Sequence, residues 1–241
     1  MGSRIRVIAI DGPVAAGKTV VGLKLAQRLG YRFLDTGVMY RAITWLALQR
    51  AVPMEDRQLL GELALQSPID LRGQNGAQVV VSGQEVSREL REPGVERQVS
   101  LVAQAPKVRE ALVAQQRRRA AAGKLVMVGR DIGTVVLPDA GLKVFMSASP
   151  EERARRRWRE MQQRGRDVEY QQVFREIKER DYLDSNRSTS PLVPAHDARL
   201  LETEGLTEDQ VVELILAMIQ EVCGPDGPDS PPFSAPIGEG K

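Results

Sequence analysis

The chain contains very little of the two residues that build disulfide frameworks and most transition-metal sites. Its 241 residues include one cysteine, Cys223, and one histidine, His196. One cysteine excludes an internal disulfide framework and a cysteine-only metal site. One histidine leaves no basis for a histidine-based zinc site and argues strongly against a Ser-His-Asp relay. We expect His196 to be an ordinary surface or loop residue.

Long apolar runs are also missing, so nothing in the sequence approaches the roughly 18 residues that span a bilayer. The N-terminal residues lead directly into a strand pattern without an apolar signal segment. The net charge is only +2, which argues against a dedicated nucleic-acid-binding protein. We therefore expect a cytoplasmic protein with neither a membrane nor a nucleic acid as partner.

Short apolar runs alternate with longer helical patterns along most of the chain. Strands are expected over 4–10, 31–34, 124–128, 142–146 and 199–201. Helices are expected over 18–28, 36–49, 106–122, 150–163, 169–186 and 207–222. This alternation is typical of an α/β fold with a parallel sheet and helices on both of its faces.

Two regions depart from that alternation. Residues 65–101 carry the turn signals Asn75-Gly76 and Ser82-Gly83 between short strand patterns, which predicts a small antiparallel insert with a helix. Residues 224–241 contain five prolines and four glycines. Such a composition buries too little apolar surface to offset the entropy of ordering. We predict one folded domain over 1–223, followed by a disordered tail.

The stretch IAIDGPVAAGKTV, residues 8–20, contains the spacing G-x-x-x-x-G-K-[ST] between a strand and a helix. Backbone N–H groups in such a loop cradle the phosphates of a nucleoside triphosphate, and the lysine reaches the β- and γ-phosphates. Thr19 is the candidate Mg²⁺ ligand, directly or through water. The predicted ATP-binding residues are Gly12, Pro13, Val14, Ala15, Ala16, Gly17, Lys18 and Thr19.

Further absences narrow the reaction class. The only asparagines, Asn75 and Asn186, are not followed by the Lys-x-Asp of a guanine reader, which argues against a GTPase switch. Large ATPase motors have longer cores. A small kinase remains, and it must hold a second substrate opposite the γ-phosphate.

Basic residues at the expected carboxyl ends of strands indicate where that second substrate binds. In FLDTGVMYRA, Thr36 is predicted to cap a helix whose first turns carry Arg41. In KLVMVGRDIGTVVLPDA, the strand is expected to end at Val128-Gly129 and to present Arg130 and Asp131. A separate helical segment, EIKERDYLDSNR, places Arg180, Asp184 and Arg187 on one helix face, either as site residues or as a structural salt-bridge ladder.

A further basic cluster, SASPEERARRRWREMQQRGR over 147–166, contains the predicted capping box Ser149-Pro-Glu-Glu152 near its start. After this capping box, seven arginines follow against one acid, Glu160. A solvated helix face, a nucleic-acid patch and a mobile lid over a triphosphate are all compatible with this composition. The phosphate loop in the same chain favours the lid, which we place at 150–166.

No residue stands out as a general base. A phosphate monoester acceptor needs none, because its oxygen is already ionised and catalysis is alignment and charge neutralisation. One alternative is a kinase for another small acceptor, such as UMP or a hydroxyl-bearing metabolite. For a hydroxyl acceptor, Asp35 or Asp131 is the candidate base. A nucleic-acid-stimulated ATPase that uses the 153–166 arginines is a further alternative.

Taken in order, IDGPVAAGKT, FLDTGVMYRA, GRDIGTVVLPDA and EIKERDYLDSNRSTSPLVPA resemble the bacterial cytidylate kinase family over about residues 7–222. The resemblance implies a P-loop nucleoside-monophosphate-kinase fold with a five-stranded parallel sheet. It implies a monophosphate-binding insert at 65–101 and the arginine-rich lid. It also implies a Mg²⁺-dependent transfer of the γ-phosphate of ATP to CMP or dCMP. We expect a monomer.

The same resemblance implies roles for individual residues. The implied catalytic residues are Lys18, Arg130, Arg153, Arg157 and Arg187, and the implied CMP-binding residues are Thr36, Arg41, Ser100, Arg109, Arg130, Asp131, Asp184 and Arg187. Among these, Ser100, Arg109 and Asp131 are implied to contact the cytosine edge. That edge carries a donor amino group beside an unprotonated ring nitrogen, which an acid and an arginine can read as a pair.

Overall fold

The secondary structure follows the predicted alternation. The computed structural model describes residues 5–73 and 76–223. In chain order its strands and helices are β1 (Val7–Asp11), α1 (Lys18–Leu29), β2 (Arg32–Asp35), α2 (Thr36–Gln49), α3 (Arg57–Gln66), β3 (Ile69–Arg72), β4 (Gln78–Val81), β5 (Gln84–Glu85), α4 (Pro93–Val102), α5 (Pro106–Ala120), β6 (Leu125–Gly129), β7 (Leu142–Ser147), α6 (Pro150–Gln163), α7 (Tyr170–Asn186), β8 (Arg199–Glu202) and α8 (Glu208–Cys223). A 3₁₀ turn covers Glu89–Arg91 and a π turn covers Ile132–Val136. The ends of the expected core elements differ from these by at most three residues.

The predicted five-stranded parallel sheet is confirmed, with strand order β2-β6-β1-β7-β8. The central strands β1 and β6 are almost wholly buried, as both-face burial in a parallel sheet requires. In their register Asp11 lies opposite Gly129. The loop after β1 and the turn after β6 therefore leave the sheet side by side, at the edge where α/β proteins bind ligands.

Helices cover both faces of the sheet. One face packs against α1 and α8 through residues such as Leu25 and Ile215, and the other packs against α2, α3 and α5. Gly22 lets α1 approach β6 closely, because a Cβ at this position would lie 2.6 Å from a methyl carbon of Val128. Helix α1, which begins directly after the loop that follows β1, is thereby held against β6.

The insert is an antiparallel sheet of order β3-β4-β5 followed by α4, as predicted. Ser82 and Gly83 both have positive φ, 51° and 81°, and make the hairpin turn between β4 and β5. Of the other turn signal, Gly76 has a φ of 70°, while Asn75 lies outside the described residues. The tail at 224–241 also lies outside them.

Helix α3 was not expected from the sequence. The Asp56 carboxylate caps it by accepting from the N–H groups of Gln58 and Leu59. Gly61 in its middle weakens the helical pattern. The glycine has a packing role, because a Cβ here would lie 2.4 Å from Cβ of Lys107 on α5. A close helix crossing therefore explains a residue that sequence propensity counts against the helix.

Helices α6 and α7 form a hairpin over the carboxyl edge of the sheet, with a small core of their own. Ala154 and Met161 of α6 pack there against Val173 and Ile177 of α7. Across the residues that the structure describes, no helix has both the length and the apolar character needed to span a membrane.

Candidate functional site

The phosphate loop has the conformation that its glycines predict. Gly12 has a φ of 147°, and a Cβ there would lie 2.1 Å from the carbonyl oxygen of Met146. Gly17 has a φ of 88° and is the N-cap of α1, where it offers no side-chain acceptor to the first N–H groups of the helix. The first N–H groups of α1 therefore remain available to a phosphate oxygen, and the helix dipole favours negative charge there.

Lys18 lies inside this loop and is 6 % exposed. Its Nζ donates a 2.6 Å hydrogen bond to the carbonyl of Pro13. Burial, together with the positive charge of Arg130, lowers the pKa of Lys18. A negative group beside Nζ would favour the charged form again, which is what a triphosphate supplies.

Thr19, the predicted metal ligand, lies next to a carboxylate. Its hydroxyl donates a 3.0 Å hydrogen bond to Oδ2 of Asp35, at the end of β2. The other oxygen of that carboxylate accepts from the N–H of Gly37 at 2.9 Å. A hydroxyl and a carboxylate oxygen are therefore paired at the mouth of the phosphate loop.

The prediction that Thr36 caps α2 was wrong, because Asp35 is the N-cap and Thr36 is the first helical residue. The Thr36 hydroxyl instead donates a 2.9 Å hydrogen bond to the carbonyl of Val128 in β6. Gly129 permits this contact, since a Cβ there would lie 2.7 Å from the Thr36 oxygen. Thr36 thus connects α2 to the strand that leads to Arg130.

Two of the predicted cytosine-reading residues form a buried ion pair. Nη2 of Arg109 on α5 donates to Oδ2 of Asp131, just after β6, and each residue is 4 % exposed. Nη1 of Arg109 donates to the carbonyl of Ala103 at 3.2 Å, while its buried Nε has no hydrogen-bond partner. The guanidinium carbon lies 5.4 Å from the ring centroid of Tyr40, a favourable cation–π distance. Arg109 is held firmly and keeps one donor unused.

Three further predicted acceptor residues, Arg130, Asp184 and Arg187, are linked to this pair by ion pairs. Nε of Arg130 donates to Oδ2 of Asp184 at 2.8 Å. Nη2 of Arg187 lies 3.9 Å from Oδ1 of Asp131, and its Nη1 lies 3.9 Å from Oδ1 of Asp184. Burial opposes ionisation of Asp184, but Arg130 and Arg180 outweigh it and hold its pKa below the usual value. The expected single helix face ends early, because Arg187 follows α7 in an extended conformation.

Arg41 and Arg180 leave this cluster with unbalanced positive charge. Nη2 of Arg41 lies 3.7 Å from Oδ2 of Asp35, and burial lowers the pKa of Arg41. Nε of Arg180 is buried without a hydrogen-bond partner. Burial and the neighbouring charge of Arg130 lower the pKa of Arg180 to about 10. Neighbouring cations destabilise one another's charged forms, and an anion such as a phosphate bound among them would relieve that repulsion.

The comparisons with known proteins agree with this geometry. The family model described as cytidylate kinase matches residues 8–221. The chain belongs to the cytidylate kinase family. Three similar relatives, each described as a cytidylate kinase, come from Caldanaerobacter subterraneus subsp. tengcongensis (50% identical, covering 89% of this chain and 94% of the relative), Desulforamulus reducens (49%, 90% and 97%) and Enterococcus faecalis (46%, 89% and 95%).

Within this cytidylate kinase family member, the predicted lid arginine Arg153 contacts the phosphate loop itself. Its Nη1 donates to the carbonyl of Val14 at 3.2 Å and to Asp181 at 3.0 Å, and its Nη2 donates to Asp181 at 2.7 Å. Its Nε donates to the carbonyl of Ala148 at 2.9 Å. One guanidinium thus connects the start of α6, the phosphate loop and α7.

Arg157, the other predicted catalytic arginine of α6, connects α6 to helix α4. It pairs with Glu160 on its own helix and with Glu96 on α4, both at 2.8 Å. Glu96 also pairs with Arg166 at 3.1 Å. Burial opposes ionisation of Glu96, but these two arginines outweigh it and keep its pKa low. The predicted Ser100 lies one helical turn further along α4, half-buried, and its hydroxyl makes no hydrogen bond with the described residues.

The predicted capping box of α6 is half confirmed. Oγ of Ser149 accepts from the N–H of Glu152 at 3.2 Å, as expected. The reciprocal acceptor for the Ser149 N–H is Glu204, at 3.2 Å, rather than Glu152. The Glu152 carboxylate instead pairs with Arg155 and Arg156. Dense positive charge on α6 therefore withdraws the glutamate from its local partner.

Sequence reasoning missed several residues that complete the site, among them Tyr40, Glu96, Asp181 and Asp11. Asp11 is 5 % exposed, and burial raises its pKa to about 6. A signal for it was present, since it is the one acid in the otherwise apolar strand β1. Such a residue is expected to have a structural or functional reason for its burial.

Proposed function

We propose that this chain transfers the γ-phosphate of ATP to CMP or dCMP, giving ADP and CDP or dCDP. The buried Asp131–Arg109 pair carries the proposal, because it lies at the end of β6, next to the strand that leads into the phosphate loop. Membership of the cytidylate kinase family supports the same reaction.

Recognition of the base follows from the hydrogen-bonding capacity of that pair. The amino group of cytosine can donate to the Asp131 carboxylate, while the unprotonated ring nitrogen can accept from Arg109, whose Nε is buried and unused. Uracil presents a carbonyl and an N–H at the same positions, so both contacts would be mismatched. Buried groups without partners cost far more than a weakened contact, and the site therefore rejects uracil.

Transfer itself needs positioning and charge neutralisation rather than a base. The phosphate of CMP is largely ionised at neutral pH, so its oxygen attacks the γ-phosphorus without losing a proton to the protein. Arg130 lies close enough to Lys18, Arg41 and Arg180 to influence their ionisation. These cations would together supply positive charge around the transferred phosphate. Arg153 and Arg157 of the lid would add charge around the γ-phosphate, each charge-assisted hydrogen bond contributing roughly 1.5–3 kcal/mol.

The donor set at the mouth of the loop fits Mg²⁺. The Thr19 hydroxyl and the Asp35 carboxylate are oxygen ligands of the kind that Mg²⁺ prefers, and they lie 3.0 Å apart. Over 5–73 and 76–223, no three carboxylate, imidazole or thiol groups converge into a metal cage. That suits an ion held mainly by phosphate oxygens and water, which Thr19 and Asp35 would orient. When bound, Mg²⁺ neutralises charge on the β- and γ-phosphates.

The alternatives have less support. A nucleic-acid-stimulated ATPase would need the α6 arginines for a polyanion, but Arg153, Arg156 and Arg157 are paired with acids of this chain. A hydroxyl acceptor would not use the Asp131–Arg109 pair. The assignment of 65–101 as monophosphate-binding region and of 150–166 as lid is part of our proposal, as are a monomeric state and a cytoplasmic location.

A coupled assay of ADP release tests the function. Wild-type enzyme with ATP and Mg²⁺ is offered CMP, dCMP, UMP, AMP, GMP and dTMP in turn, and finally single-stranded RNA. We expect fast turnover with CMP and dCMP, weak turnover with the others and no stimulation by RNA. ADP release that rises with RNA and falls steeply with salt would replace the kinase by the ATPase. Equal use of UMP would remove Asp131 as the residue that discriminates.

A further inference from the structure

The Asp11 carboxylate takes no part in the reaction proposed above, yet it lies at the junction of the two substrate sites. It ends β1 directly before Gly12, opposite Gly129 of β6. Its Oδ1 accepts from the N–H of Ile132 at 2.8 Å, and its Oδ2 accepts from the N–H of Gly133 at 2.7 Å. One side chain thus connects the strand that leads to the ATP loop with the turn that carries Asp131.

The turn after β6 needs these acceptors. It is wound as a π turn, in which the N–H groups of Val135 and Val136 both donate to the carbonyl of Asp131, at 2.9 and 3.1 Å. As at any helix start, its first N–H groups have no acceptor within the turn. Asp11 supplies both acceptors from a neighbouring strand. The backbone that positions Arg130 and Asp131 is therefore fixed from outside its own segment.

The surroundings show that the carboxylate acts as an acceptor rather than as half of an ion pair. Lys18 and Asp131 are near enough to influence its ionisation in opposite directions. Lys143 of β7 packs its alkyl chain against Gly133, but its Nζ pairs with Asp197 at 2.8 Å. Of the groups facing Asp11, the two backbone N–H groups alone are within hydrogen-bond distance among the described residues.

We propose that Asp11 is a positioning residue for the acceptor site, holding Arg130 and Asp131 in register with the phosphate loop. The inference rests on the proposed function, because its readout is the affinity for CMP. This role differs from a simpler explanation, in which the carboxylate beside Gly12 supports only the phosphate loop. That explanation predicts a loss of ATP binding, whereas positioning of the acceptor turn predicts a selective loss of CMP binding.

The test is Asp11→Asn, which keeps the shape of the side chain but turns one acceptor into an N–H donor that faces another N–H. We expect the KM for CMP to rise about tenfold, equivalent to about 1.4 kcal/mol, while the KM for ATP stays within about twofold. The preference for CMP over UMP should fall. The control is Arg117→Ala, which removes an exposed side chain that donates to the carbonyls of Val135 and Val136 at the far end of the turn. It should leave both KM values within about twofold.

A pH series gives a second readout. Below about pH 6 the Asp11 carboxyl is protonated and loses one acceptor, so the KM for CMP should rise as the pH falls from 7 to 5.5. The phosphate of CMP titrates in the same range, but it does so for both enzymes. The ratio of the variant KM to the wild-type KM therefore isolates Asp11, and it should fall towards one at low pH.

Each result has a defined meaning. Wild-type turnover of CMP tests the proposed function, and the variant-to-wild-type ratios test the inference. Equal rises in the KM for CMP and for ATP would assign Asp11 to the phosphate loop, and an unchanged KM for CMP would overturn the positioning role. If Asp11→Asn does not fold, Gly133→Ala replaces it, because its new Cβ would lie 3.4 Å from Asp11 Oδ2 and 3.1 Å from Lys143. The same selective rise in the KM for CMP is expected, and its absence would refute the proposal.

Discussion

The proposed ATP loop and the proposed acceptor site differ in how the chain builds them. The loop is eight consecutive residues, 12–19, whose shape depends on backbone conformation at two glycines. The acceptor site joins side chains from distant segments, since Arg109 and Asp131 are 22 residues apart and Arg130 and Asp184 are 54 apart. A contiguous site can be recognised from local spacing. A dispersed site exists only once the sheet and helices have brought its members together.

The largest effect on catalysis is expected from a substitution in the phosphate loop. Lys18→Ala should lower kcat by about three orders of magnitude or more, because it removes the charge that faces the transferring phosphate, while leaving the fold intact. Steady-state kinetics and circular dichroism measure the two outcomes. Lys24→Ala is the control on the same helix, since Lys24 pairs with Glu208 and Asp209 at the surface. A loss of less than about tenfold would contradict the phosphate-loop assignment.

A smaller and more selective effect is expected in the acceptor site. Asp131→Asn replaces an acceptor by an amide that also donates, so kcat/KM for CMP should fall by about 10- to 100-fold and the preference for CMP over UMP by about tenfold. The KM for ATP should change little. Asp139→Asn, an exposed acid in the same loop, is the matched control. An unchanged CMP-to-UMP ratio would move base recognition to other residues.

The smallest effect is expected where the lid meets the insert. Glu96→Gln removes the charge that holds both Arg157 and Arg166, and partly exposed pairs of this kind contribute about 0.5–1 kcal/mol. Cleavage of the 150–166 segment by trypsin should become about two- to fivefold faster in the enzyme without nucleotide, and ATP with CMP should slow it again. Glu62→Gln on α3, an exposed acid, is the control. Equal cleavage rates of the two variants would show that Glu96 does not restrain the lid.

The sequence predicted most of the fold because its elements are strongly periodic and its strands are buried on both faces. It did not predict α3, where Gly61 serves a contact with a helix that is 40 or more residues further along the chain. Asp35 and Thr36 are both good capping residues, and local propensity cannot choose between them. Only the presence of the Val128 carbonyl beside the Thr36 hydroxyl decides it.

The candidate site, too, could be predicted from the sequence only in part, because some of its contacts join residues that are far apart in the chain. The residues of the phosphate loop follow from spacing alone, and the resemblance pointed to Arg109 and Asp131, which the structure places together. The partners of the lid arginines could not be inferred, because Glu96 and Asp181 are 61 and 28 residues away from the arginines they bind. Their contribution of negative charge explains why a segment with so many arginines folds back onto the protein.

The adjacency of β1 and β6 has a consequence for motion in the enzyme. Backbone hydrogen bonds hold neighbouring strands about 4.8 Å apart. The starting points of the phosphate loop and of the Arg130–Asp131 turn are therefore at a fixed distance from each other. Side-chain substitutions do not change that spacing, whereas deletion of one residue from β6 would shift and invert every side chain beyond it. Any movement that brings the two substrates together must therefore occur in the surrounding helices, while the strands of the sheet stay in place.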